Sequence, residues 1–294
     1  MSRHPLDPAF AKIERAEIHI NDLSIAVDEF LRTDPYRILP SRNRKGTMDV
    51  WSVVPDPIPS PIETIAADAI HNLRTPLDKM LSADFSNSLI HTDEAVLGSI
   101  KFPIGEDANG FERALAKQQN HFTAPVVEFL QRAQPYPGGH GELLWAVNKL
   151  DNRDKHRTLL EPIRTGFSTA QIGQIKCPVG RIFTIGSRRG QHLFHQVDTS
   201  KGPAWIQPIQ TLAPVLRLRP LTVKDYFLEF KSTHNDMEVL TTTPSAQVDA
   251  DIHAVLNIAF AEIGHFEGEP VVGLLKAMRE AVEAKLMSFR ESFF

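Results

Sequence analysis

The chain has 294 residues, a hydrophobic fraction of 42%, a charged fraction of 23% and a formal charge of −4 at pH 7. Those values are ordinary for a globular protein and exclude collagen-like, coiled-coil and wholly disordered chains. Cys177 is the only cysteine, which excludes an intramolecular disulfide and any multi-cysteine zinc or iron–sulfur site and fits a reducing compartment.

The first residues, Met1-Ser2-Arg3-His4-Pro5, lack the apolar stretch of a signal peptide. No later run approaches the roughly 20 apolar residues of a membrane span, so the expectation is a cytoplasmic protein with no membrane partner. From Pro8 to Arg32, apolar residues recur in steps of three and four at Ile13, Ala16, Ile20, Leu23, Val27 and Phe30, which predicts a helix with one buried face. Thr33-Asp34-Pro35 stops it, because proline and the residue before it leave helical geometry. Tyr36–Leu39 and Met48–Val54 flank a polar turn and predict a small hairpin.

A proline-rich connector leads to a second helix, with Ser60 as N-cap, Pro61 in the first turn and Glu63 three residues after the cap. Its apolar stripe is Ile62, Ala66, Ala69, Leu73, Leu77 and Met80, with Pro76 predicting a kink. Shorter helices are expected at about 110–121 and 125–133. A glycine-rich loop then precedes a helix from Glu142 to Leu159. After Leu160 the period falls to near 2, with strands expected at Ile182–Ile185, Leu193–Val197, Val215–Leu218, Tyr226–Lys231 and Val255–Ala261. A final helix, Glu269–Phe293, turns Val272, Leu275, Met278, Val282, Leu286 and Phe289 inward. The fold class is therefore α+β, a helical bundle with a β-rich antiparallel segment inserted before the C-terminal helix. Its expected regions are a mainly helical 1–159, a β-rich 160–263 and a C-terminal helix over 264–294 that packs back on the first.

Two polar strings stand out on the helices, His71-Asn72-Leu73-Arg74 and Asp151-Asn152-Arg153-Asp154-Lys155-His156-Arg157. Ideal helix geometry places His71, Arg74 and Asp78 in one outward sector, opposite Leu73 and Leu77. Asp151 and Asp154 instead continue the apolar stripe of Leu143, Val147 and Leu150. Carboxylates on such a stripe need partners, since an unpaired buried charge is costly, and Arg74 and Arg157 are the first candidates. Lys155, His71 and His156 come next. The favoured reading is a structural ion-pair lock between two helices. The other is an active site, in which His71, Arg74, Arg153 and His156 are catalytic and Asp78, Asp151, Asp154, Lys155 and Arg157 hold the ligand. No ligand spacing supports a metal among these residues, and no cofactor motif is present.

The strings HNLRTPLDK (His71 to Lys79) and DNRDKHR (Asp151 to Arg157), with the N-terminal helix AKIERAEIHINDL, resemble a broad group of uncharacterised bacterial proteins of similar length. That resemblance covers most of the chain in order and implies no activity. The chain is also partly similar to HEPN-type helical ribonucleases, which place an arginine and, four to six residues later, a histidine on one helix. This similarity implies metal-independent RNA cleavage. Here Lys79 stands where Arg74 calls for the histidine, and Arg153 and His156 are only three apart.

Charge is uneven along the chain. Between Arg153 and Lys231 there are 13 Lys/Arg and 5 Asp/Glu, a balance of +8, and the remaining residues sum to −12. The expected partner of the β-rich segment is therefore an anionic ligand or a nucleic acid, with Arg188 and Arg189 at a hairpin tip. Gly138-Gly139-His140-Gly141, ahead of a helix, is an ordinary loop or a phosphate cradle lacking a Walker lysine. The functional expectation is a cytoplasmic binding or regulatory protein, with a HEPN-like ribonuclease as the alternative.

Overall fold

A computed structural model describes residues 4–42, 44–46, 49–82, 99–153, 159–177, 182–185, 195–198, 204–206, 221–223, 226–230, 238–242, 247–261 and 263–294. The protein is α+β, with its β-rich segment ahead of the C-terminal helix. No helix among the described residues is long and apolar enough to cross a membrane.

The helices follow their apolar stripes. Helix α1 (Asp7–Leu31) buries Ile13, Ala16, Ile20, Leu23 and Val27, the spacing expected of one helical face. Asp34 takes the left-handed conformation at φ 50° just beyond it, which aspartate tolerates better than most residues. Helix α2 (Ser60–Ser82) contains Pro76 and is buried on more than one side, with Ile62, Ala66, Ala69, Ile70, Leu73, Leu77, Met80 and Leu81 all in the core. Helix α3 (Ala108–Ala116) begins at Asp107, whose carboxylate accepts a 2.6 Å hydrogen bond from the Gly110 amide. A single 3₁₀ turn (Gln119–His121) leads to α4 (Ala124–Gln131), with Pro125 in its first turn.

The loop before α5 (Glu142–Arg153) closes on itself. The amide of Gly141 donates to the Gln134 carbonyl, and that of Gly139 to the Tyr136 carbonyl. Gly138 sits at φ +78°, and a Cβ on Gly139 would lie 2.3 Å from the Gln134 oxygen, so both positions need glycine for the turn. Two of the loop's amides, those of Gly139 and Gly141, are thus used within the turn itself. Leu159 lies just ahead of β3 rather than in the helix expected to reach it, and residues 154–158 are outside the described ones. Helix α6 (Val271–Phe293) buries Val271, Leu274, Leu275, Met278, Val282, Leu286 and Phe289 and packs on both α2 and α5.

Two compact units arise, and neither follows chain order. The helical unit comprises 1–30, 58–161 and 258–294; the β-rich unit comprises 31–57 and 162–257. This differs from a division at 159/160 and 263/264. The hairpin of β1 (Tyr36–Arg42) and β2 (Asp49–Pro55) lies in the first 159 residues yet belongs with the β-rich unit, because β2 pairs antiparallel with β9 (Glu238–Thr242). The β-rich unit contains a five-stranded antiparallel sheet in the order β1-β2-β9-β8-β7, using β7 (Leu221–Val223) and β8 (Tyr226–Phe230). The expected second hairpin is present as β4 (Ile182–Ile185) with β5 (His195–Asp198). A three-stranded sheet has the order β10-β3-β6, formed by β3 (Leu160–Cys177), β6 (Ala204–Ile206) and β10 (Gln247–Phe260). Arg188, Arg189 and the expected strand at 215–218 lie outside the described residues.

In the helical unit the end of β10 supplies Ile258, Ala259 and Phe260 to the core, all fully buried. The Ala261 amide donates to the Leu159 carbonyl at 3.2 Å, which fixes the start of β3 beside the end of β10.

Candidate functional site

Helices α2 and α5 meet through their polar residues, as the need of those residues for partners requires. Two contacts define the meeting. His71 Nδ1 lies 3.2 Å from Asp151 Oδ1, and Arg74 Nε donates to Asn148 Oδ1 at 2.9 Å. One step of three residues forward on α2 matches one step of three back on α5, so the two helices run antiparallel across this contact.

That register decides which residues pair, and it corrects one expectation. Arg74 and Arg157 were the first candidates to partner Asp151 and Asp154; the antiparallel partner helix brings Asn148 to Arg74 and gives Asp151 to His71, a later candidate, while Asp154 and Arg157 lie outside the described residues. Arg74 is also not outward-facing. Its side chain is only 11% exposed and is held on one side by Asn148 of α5. Arg74 Nη1 donates to Asp78 Oδ1 at 2.7 Å, an (i, i+4) ion pair within α2. Asp78 in turn accepts the Phe102 backbone amide at 2.8 Å and lies 3.5 Å from the Lys101 ammonium. The result is a clasp. One guanidinium joins α2 to α5, and its counter-charge joins α2 to the segment leading into α3. Asn72, also buried, donates to the Asp68 carbonyl and accepts from Lys12 on α1 at 3.1 Å.

The His71 end is different. The imidazole is 67% exposed, and only Asp151, at 17%, is withdrawn from solvent. A carboxylate that holds one ring nitrogen orients the imidazole and leaves the other nitrogen for proton exchange.

The candidate site residues thus separate. His71 and Asp151 come together, as do Arg74 and Asp78, and Arg153 closes the last turn of α5 half-buried with its interactions made. Asp154, Lys155, His156 and Arg157 lie outside the described residues. Among the described residues no three His, Cys, Asp or Glu side chains converge as a metal site.

Sequence reasoning passed over Asn148, Lys101 and Phe102. For Asn148 a signal exists: it lies three residues before Asp151 and so shares its face of α5. Lys101 and Phe102 carry no local signal, since an amide reaching a carboxylate 24 residues earlier depends on the tertiary fold alone.

Comparison with protein-family models, curated proteins and solved structures finds no match.

Proposed function

We propose that the chain is a cytoplasmic binding or regulatory protein in which the polar strings on α2 and α5 hold the fold together rather than turn over a substrate. The observation that carries this reading is the commitment of Arg74. Its Nε and Nη1 are bound to Asn148 and Asp78, and Asp78 is itself bound to the Phe102 amide. A guanidinium that clamps a scissile phosphate needs an open fork aimed at a cleft. Here most of the fork faces protein.

The experiment pairs two assays on purified full-length protein and an Arg74→Ala variant: incubation with mixed RNA, and thermal unfolding. The expected result is intact RNA with both proteins and a lowered melting temperature in the variant. RNA cleavage by the wild type would overturn the reading.

A second reading, a metal-independent HEPN-like ribonuclease, draws on the exposed His71 imidazole held by Asp151. In that chemistry a histidine takes the proton of the attacking 2′-hydroxyl, which requires an oriented ring open to substrate. Cleavage by the wild type that disappears in His71→Ala at unchanged melting temperature would establish it. The surplus of 8 positive charges between Arg153 and Lys231 favours an anionic partner in either case. If that partner is a nucleic acid, its affinity falls steeply with salt, as read by fluorescence anisotropy.

A further inference from the structure

Helices α4 and α6 meet through aromatic rings. The Phe129 ring of α4 lies 5.2 Å from Phe289 and 5.7 Å from Phe293, centre to centre, and those two rings of α6 are 4.6 Å apart. The Lys285 ammonium joins this cluster from α6, 4.9 Å from the centre of the Phe129 ring. Lys285 is half-buried and keeps part of its surface in solvent. We propose that this amine is a site of covalent acylation, which takes the acyl group of an acyl thioester because no carboxylate holds it as an ammonium. The site shares no residue with the Arg74 contacts and is independent of their role.

The arrangement of charge around Lys285 carries the proposal. On α6 the residues three and four positions away are Ala281, Val282, Ser288 and Phe289, none of them ionisable. The carboxylates nearest in sequence to Lys285 and Phe129 are committed elsewhere, Glu283 to Arg279 at 3.1 Å and Glu128 to Arg132. Lys285 makes no ion pair among the described residues. A lysine set among rings without a counter-charge is desolvated, and burial lowers its pKa below the usual 10.5. More of it is then the neutral amine, the form whose lone pair attacks a carbonyl carbon. A less basic nucleophile is intrinsically slower, but as with thiols that loss is smaller than the gain in reactive fraction.

The surroundings also select the kind of modification. Methylation keeps the positive charge and its desolvation cost, whereas acylation removes both and leaves an apolar group beside the rings. In the step itself, the Lys285 Nζ lone pair forms a bond to the thioester carbonyl carbon, and the carbon–sulfur bond breaks with its electron pair leaving on sulfur. The nitrogen gives up one proton and the thiolate takes one up. The products are an amide and a thiol, with nothing oxidised or reduced.

The test is lysine-by-lysine acylation of the folded, full-length protein by S-acetyl-N-acetylcysteamine, with initial rates read by peptide mass spectrometry. At neutral pH Lys285 is expected to react at least about threefold faster than the exposed Lys79, Lys117 and Lys276. That lead should vanish above about pH 11, where all four amines are neutral. Ser288→Glu places a carboxylate three residues away at an exposed position, and is expected to bring Lys285 down to the rate of the other three at an unchanged melting temperature. Acylation of Lys285 no faster than that of the exposed lysines at neutral pH overturns the proposal. So does a lead that persists unaltered above about pH 11 or in Ser288→Glu, since it would not then come from an unpaired amine.

Discussion

Arg74 and His71 stand three residues apart on one helix, and both reach α5, yet the two contacts differ in kind. The Arg74 side chain is 11% exposed and bound through both Nε and Nη1; the His71 side chain is 67% exposed and bound at one nitrogen. Burial is the controlling difference. A charge pair shielded from water is strengthened by the low local dielectric but stranded when one member is lost, whereas water can replace either member of an exposed pair. Similar residue types on adjacent turns can therefore be a fastening in one place and a loose surface contact in the next.

The largest expected effect comes from breaking the buried contact. Arg74→Ala should cost roughly 3 kcal/mol in urea unfolding, the low end for a broken buried pair, because Asp78 keeps the Phe102 amide and Lys101. A loss below about 1 kcal/mol would place Arg74 in the same class as an exposed pair. Asn148→Leu should cost about 1–2 kcal/mol, since it leaves the Arg74 Nε–H without its acceptor. His71→Ala should cost less than about 1 kcal/mol by the same measurement, as exposed ion pairs do. A His71 variant as damaged as Arg74→Ala would erase the comparison.

Lys285 sharpens the contrast further, as a part-buried cation that sits over a ring instead of a carboxylate. Its ammonium lies 4.9 Å from the centre of the Phe129 ring, and burial lowers its pKa below the usual 10.5. Folding must then desolvate a charge that the unfolded chain keeps hydrated, so the folded state binds the proton less well. Stability should rise as pH climbs from the lowered pKa toward 10.5, and fall again as pH drops back through it. Lys285→Met keeps the aliphatic packing and removes that penalty. It should slightly raise the melting temperature at pH 7, with the gain shrinking above pH 10. A lowered melting temperature at pH 7 would mean that the ring contact outweighs desolvation.

Much of the fold could be read locally. The stripe Ile13, Ala16, Ile20, Leu23, Val27 is buried as its spacing requires, and the hairpins at 36–55 and 182–198 pair as their alternation and turns suggest. The joining of β2 to β9 was not legible, because sheet pairing over long sequence separation leaves no period in either strand. The same limit applied to the site. That α2 and α5 need each other follows from charges lying on helical faces, but which charge meets which follows from antiparallel register, a property of two helices together. The inward position of Arg74 was likewise hidden, since Asn148, which holds its Nε, is 74 residues away in sequence. Val271 replaces Val272 on the inner face of α6, a shift of one residue at a helix start, where the face is least constrained.

The central claim is that Arg74 and Asn148 act as one fastening between α2 and α5, and a double-mutant cycle on the pair tests it most directly. Urea unfolding of wild type, Arg74→Ala, Asn148→Ala and the double variant gives their coupling energy. A coupling of about 1 kcal/mol or more is expected, with the double variant little worse than Arg74→Ala alone. Additivity within about 0.5 kcal/mol would contradict the clasp and leave the guanidinium free for another role.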